Sequence, residues 1–169
     1  MSHASHQTDR KFDPRLDLVF ERVVDIPPQL IWAAWTTEEH IKHWFTPAPW
    51  RTIGCAIDLR PGGIFHTVML SPEGQEFPNA GCYLEIVPQR RLVWSNAVQP
   101  GFRPAARPVS TVDFPFTGII EMEAQGAGSR YTATVLHADA EARDRHAAMG
   151  FQEGWGKALD QLVAYMKTL

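Results

Sequence analysis

Two cysteines, Cys55 and Cys82, are all the thiol chemistry available. They lie far apart in the chain and match no metal-ligand spacing, so neither a zinc site nor a disulfide framework is expected. Both are read as free thiols in a reducing compartment, with a bond between them left open. No apolar run approaches the roughly 20 residues of a bilayer-spanning helix. No signal-peptide core opens the chain, because Met1 to Arg15 is polar. The expectation is a cytoplasmic protein without membrane association. A basic excess is missing too: 16 Lys and Arg stand against 19 Asp and Glu, for a net charge of −3. Nucleic acid is therefore not an expected partner. No Gly-x-Ser-x-Gly elbow supplies a serine nucleophile. No glycine-rich phosphate loop precedes a helix, since Pro61-Gly62-Gly63 lies between two strand patterns. No catalytic residue, metal or cofactor is expected from these gaps.

What is present is a regular succession of short elements. Residues 1–15 are expected to be a disordered tail, with His3 and His6 solvated, and residues 16–169 a single domain. Leu16 to Asp25 is strand-like. Pro27-Pro28 opens a short helix carrying Ile31, Trp32 and Trp35. Thr36 and Glu39 have the spacing of a capping box for a second, which carries Ile41, Trp44 and Phe45. On that helix His40 and His43 are three apart, a spacing that suits a metal, but no third ligand is placed with them. From Arg51 the period becomes two. Strands are expected over 52–59, 64–71, 80–87, 91–97, 114–125 and about 130–137, joined mostly by tight turns such as Arg60-Pro61-Gly62-Gly63. The proline-rich segment Val98 to Asp113 is long for a loop in a compact domain and is a candidate lid or rim.

The stretch Arg143 to Leu169 organises the rest. Ala148, Phe151, Trp155, Leu159, Leu162 and Met166 recur at steps of three and four, which predicts one long helix with a single apolar stripe. Gly150, Gly154 and Gly156 fall inside it, each costing about 1 kcal/mol against alanine. Missing side chains there admit a neighbouring backbone or leave room for a cavity. Short links make neighbouring strands antiparallel, and a sheet with one dry face needs a cover. The predicted fold is α+β: a curved antiparallel sheet of about seven strands wrapped on the C-terminal helix, with two short helices after the first strand.

Four groups of residues carry a family resemblance. They are Pro27…Trp32-Ala33-Ala34-Trp35-Thr36, Asp58-Leu59-Arg60-Pro61-Gly62-Gly63, Gly81…Glu85-Ile86-Val87-Pro88…Arg91-Leu92-Val93 and His146…Met149-Gly150-Phe151…Gly154-Trp155…Leu159-Asp160-Gln161-Leu162. In this order the set resembles the bacterial branch of the activator of 90-kDa heat-shock protein ATPase homologue family, within the START-like (SRPBCC) superfamily. The resemblance implies a helix-grip fold with a deep cavity between sheet and last helix, where most of the superfamily binds hydrophobic small molecules. Some members are enzymes. Eukaryotic relatives stimulate the heat-shock chaperone with an extra N-terminal domain that is not seen here. Ligand binding, in a carrier, sensor or stress-related role, is thus ranked first. An enzyme in the same cavity (a cyclase, dehydratase or hydrolase) ranks next, and a chaperone partner last. A homodimer is compatible with the fold.

The candidate wall of that cavity is aromatic: Trp35, Trp44, Phe65, Trp94, Phe116, Tyr131, Phe151 and Trp155. Met69, Ile120 and Val135 share its apolar faces, although strand 64–71 is apolar on both sides. Thr67, Asn96 and His137 are the few polar groups a ligand pocket needs, and His137 is the candidate proton carrier. Phe102, Arg103 and Arg107 are placed at the mouth, where the arginines would draw an acidic group.

Overall fold

The computed structural model describes residues 11–169. The expectations for His3 and His6 lie outside the described residues, as does most of the expected tail. Within that tail a turn at 14–16 is already formed, with the Leu16 and Asp17 amides donating to the Asp13 carbonyl.

Strand β1 (Asp17–Val24) leads into α1 (Pro28–Thr36) and α2 (Glu38–Trp44). Proline opens α1, where a missing N–H costs nothing. Acidic Glu38 and Glu39 start α2 and Lys42 and His43 end it, matching the helix dipole. The expected capping box does not form. The N-cap is Thr37, and the Thr36 hydroxyl turns back to donate to the Trp32 carbonyl instead.

Strands β2 (Arg51–Ile57), β3 (Ile64–Leu70), β4 (Glu76–Val87) and β5 (Arg91–Ser95) form a meander. The β2–β3 turn is the expected one: the Gly63 amide donates to Arg60 O, and Gly62 takes φ +84°, which a side chain would resist. After a small ribbon, β6 (Val98–Gln99) with β7 (Arg103–Pro104), the long hairpin β8 (Phe116–Gln125) and β9 (Gly128–His137) follows. The seven long strands make one antiparallel sheet in the order β1-β9-β8-β5-β4-β3-β2. Bulges between Thr52 and Gly54 and between Tyr83 and Glu85 sharpen its twist.

The expected single C-terminal helix is two: α3 (Ala140–Ala148), capped by Asp139, and α4 (Phe151–Met166). Gly150 separates them in the left-handed region, φ +84°. It is therefore a helix break and not an interior glycine. Helix α4 packs on α1, α2 and β1, and α3 on β1 and β9. Its buried Phe151, Leu159, Leu162 and Met166 join Ile31, Trp35, Ile41, Leu92, Ile120 and Val135 in one core.

Candidate functional site

The hollow lies under the first half of α4, over β3, β4, β5 and β8. It is a cavity of about 290 Å³, near the lower bound of roughly 300 Å³ for small-ligand pockets. Its floor is Phe65, Thr67 and Met69 from β3, Asn79 to Gly81 from β4, Trp94 from β5, Asn96 beyond it and Phe116 from β8. Its roof is Trp35 and Trp44 from the short helices, and Phe151, Gly154, Trp155 and Ala158 from α4.

The aromatic wall is a connected set. Trp35 lies 4.9 Å from Trp44, 5.4 Å from Trp94 and 6.5 Å from Trp155 between ring centroids. Trp94 meets Phe65 edge to face at 5.5 Å, and Trp155 lies 5.3 Å from Phe151. Such pairs add to area burial and hold each ring in place. Two local features set the ring positions. A Cβ on Gly118 would stand 2.7 Å from the Trp94 ring, so glycine there lets the indole lie flat across β8. Trp155 Nε1 donates to Tyr131 Oη at 2.9 Å, tying the roof to β9. Burial pushes the Tyr131 phenol well up, so it stays protonated.

The α4 glycines differ. A Cβ on Gly154 would meet nothing within 4 Å, whereas one on Gly156 would stand 2.8 Å from Arg22 Nη2. Gly154 leaves space over the hollow; Gly156 admits a close neighbour from β1.

Of the residues expected at the site, Trp35, Trp44, Phe65, Thr67, Met69, Trp94, Asn96, Phe116, Phe151 and Trp155 line the cavity, while Ile120, Tyr131, Val135 and His137 do not. Three of those four are on β9, where Tyr131 is held by Trp155 of α4, Val135 is in the core and His137 lies against His146 of α3, and Ile120 is sealed in the core. Asn96 is a brace: its amide donates to Phe114 O and its carbonyl accepts from Phe116 N. Phe102, Arg103 and Arg107 are also absent from the lining. Gly101 and Phe102 dock on the Gly62 turn, with Gly101 N donating to Gly62 O. The same segment reaches the cavity further on, through Val109, Ser110, Thr111 and Val112. Asn79 Oδ1 holds that stretch by accepting from the Thr111 amide and hydroxyl. Val109 and Met149, 43% and 59% exposed, mark the mouth between this strap and the α3–α4 break.

His146 entered the sequence reading only within the family motif and not as a site residue, yet it lines the cavity. Its ring packs on Phe114, Phe116 and Phe151. Its Nδ1 lies 2.9 Å from Nε2 of His137, whose Nδ1 lies 2.8 Å from the Leu16 carbonyl. Burial, helped by the neighbouring His137, pushes His146 down to about 4. Burial also lowers His137, against the Leu16 carbonyl and the Asp17 charge.

Cys55 and Cys82 are both free thiols. Cys55 is pushed up to about 12 by burial and then by the Glu38 charge, which makes it a poor nucleophile at neutral pH. His40 Nδ1 lies 3.0 Å from Tyr165 Oη and His43 stacks on the same ring. Among the described residues no three metal-ligating side chains cluster, and no helix is long and apolar enough to cross a membrane.

A curved antiparallel sheet closed over a C-terminal helix, with a hollow between them, defines a helix-grip protein of the START-like (SRPBCC) type. The chain belongs to the family described as Activator of Hsp90 ATPase homolog 1-like protein, whose profile matches residues 25–167. The sequence-based assignment of family and fold therefore stands. A crystal structure of a Nitrosomonas europaea protein is similar at 41% identity, covering 93% of this chain and 97% of that one, with a TM-score of 0.87. A Rhodobacter sphaeroides protein shares the fold at 22% identity and TM-score 0.79, covering 94% and 97% of the two chains. So does the AHSA1 protein of Silicibacter pomeroyi, at 21% and 0.66, covering 90% and 98%. No curated protein matches the sequence.

Proposed function

We propose that the protein binds a hydrophobic small molecule in the cavity beneath α4, as a carrier or sensor. The observation that carries this is the hollow itself: about 290 Å³, walled by connected aromatic rings and left open by Gly154. A core built only for stability closes such space, because an empty cavity costs about 24 cal/mol per Å³. The lining contains no Asp, Glu, Lys or Arg among the described residues, so an uncharged guest is favoured. This replaces the acidic ligand suggested by Arg103 and Arg107. Entry would be at Val109 and Met149.

Native mass spectrometry of protein purified from its own host tests this. A stoichiometric small-molecule adduct that is lost on denaturation supports it. A bare protein that also fails to take up naphthalene-sized apolar probes contradicts it.

A further inference from the structure

The polar groups of the cavity are mostly spent. Asn96 braces β8, Asn79 holds Thr111, and the Ser110 hydroxyl accepts from Val112 N. Two valences remain open. The Thr67 hydroxyl, on a residue 2% exposed, takes no hydrogen-bond partner among the described residues, and neither does Nε2 of His146. Neither atom is among the sealed, unsatisfied polar atoms, which are Trp35 Nε1, Tyr83 Oη and Arg143 Nε. Both residues line the cavity.

The hydrogen-bond chain fixes what His146 offers. A carbonyl only accepts, so His137 Nδ1 carries the proton that goes to Leu16 O. Neutral His137 then has a bare Nε2, which can only accept. His146 must therefore place its own proton on Nδ1 and donate it to His137. That leaves Nε2 of His146 as a bare acceptor, clamped in orientation by His137 and three phenylalanine rings. With His146 pushed down to about 4, the ring is uncharged at neutral pH. On α3, Arg145 pairs with Asp113, while Arg143 pairs with Asp144 through Nη1 and its charge also disfavours protonation of His137.

We propose that Nε2 of His146 accepts a hydrogen bond from a hydroxyl of an uncharged aromatic ligand, so that the site selects phenol-like molecules over the matching ether or carboxylate. This rests on the cavity-binding function above and adds the chemistry of its guest. A carboxylate would set its own lone pairs against that of Nε2 in a cavity without a cation. An ether would leave the acceptor unpaired. Thr67 stands three strands away across β4 and β5, on the order of 15 Å along the sheet, and meets a polar group at the ligand's far end.

The experiment titrates wild type and His146→Phe at pH 7 with three probes of one shape: 2-naphthol, 2-methoxynaphthalene and 2-naphthoate. Wild type should bind the naphthol about three- to tenfold tighter than the ether, the worth of one hydrogen bond, and the naphthoate most weakly. In His146→Phe the ratio of naphthol to ether affinity should fall to about one, whatever the change in their common affinity. Equal binding of naphthol and ether to wild type, a preference that survives the substitution, or naphthoate binding tightest overturns the proposal and leaves the cavity function intact. If no probe binds, both fall. Imidazole nitrogen-15 shifts of the unmodified protein give a second measure, independent of how the variant folds. His146 should show a protonated Nδ1 and a bare Nε2 that moves when naphthol is added. A proton found on Nε2 of His146 overturns the assignment.

Discussion

Gly154 and Gly156 sit two residues apart on one helix and face different neighbours. Gly156 lies over β1, with Arg22 and Phe20 against it, at the head of a half-helix whose Leu159, Leu162 and Met166 are all buried. Gly154 lies over the aromatic hollow with nothing within 4 Å of where a side chain would begin. Helix propensity taxes both equally, about 1 kcal/mol each. What differs is the return: a close approach to β1 in one case, open volume in the other. The molecule is therefore divided along α4 into a filled half over β1 and a hollow half over β3, β4, β5 and β8.

Substitutions should separate the two halves. The largest effect is expected from Leu162→Ala, which opens a void in the filled half. It should lower unfolding free energy by about 3 kcal/mol in denaturant titration, while the folded fraction binds an apolar probe as well as wild type. Gly118→Ala comes next. Its methyl would press on the buried Trp94 ring, costing about 2 kcal/mol and, unlike Leu162→Ala, weakening probe binding by moving the wall. Gly154→Ala should raise stability by about 1 kcal/mol. Gly156→Ala should gain far less, because the new methyl displaces Arg22 from its bond to Asp160, a surface pair worth about 0.5 kcal/mol. Equal gains at the two positions would erase the comparison.

A further effect is one of pH, and it belongs to the hollow half. His146 has a folded value near 4 against an ordinary 6.5, and His137 is shifted the same way. The unfolded chain therefore binds more protons between these values. Stability should be flat above about pH 6.5, fall as pH drops from there towards 4, and level off with respect to these groups below that. Paired Asp13, Asp25 and Glu39, all held below the usual carboxylate range, titrate at lower pH. In His146→Phe the slope between pH 6.5 and 4 should shrink, as read from denaturation midpoints.

Element order was legible because turn chemistry punctuates the chain: Pro61-Gly62 and the glycines at 126 and 128 mark the hairpins. The break at Gly150 was not legible. A glycine in a helical pattern suits either a helix that continues at a cost or one that stops there, and only its left-handed φ distinguishes the two. Period-two alternation told which face of β9 is dry but not what covers it. Tyr131 and Val135 were thus in the right phase on a strand that lies under helix instead of under the hollow. Asn96 shares the phase of Trp94, yet its hydrogen-bonding capacity goes to β8. His146 was hidden because its position depends on the same unforeseen break. The strap residues 109–112 were hidden because a proline-rich loop has no period from which to read a face.

One titration reaches the division most directly: binding of 2-methoxynaphthalene to wild type and to Gly154→Leu, followed by tryptophan fluorescence alongside thermal unfolding. Expected are saturable binding to wild type, a loss of at least about tenfold in the variant, and unfolding of the variant at or above the wild-type temperature, because the new side chain occupies space already empty. Equal affinities in the two proteins, or a variant that binds poorly only because it is unfolded, would contradict the placement of a ligand site beneath α4.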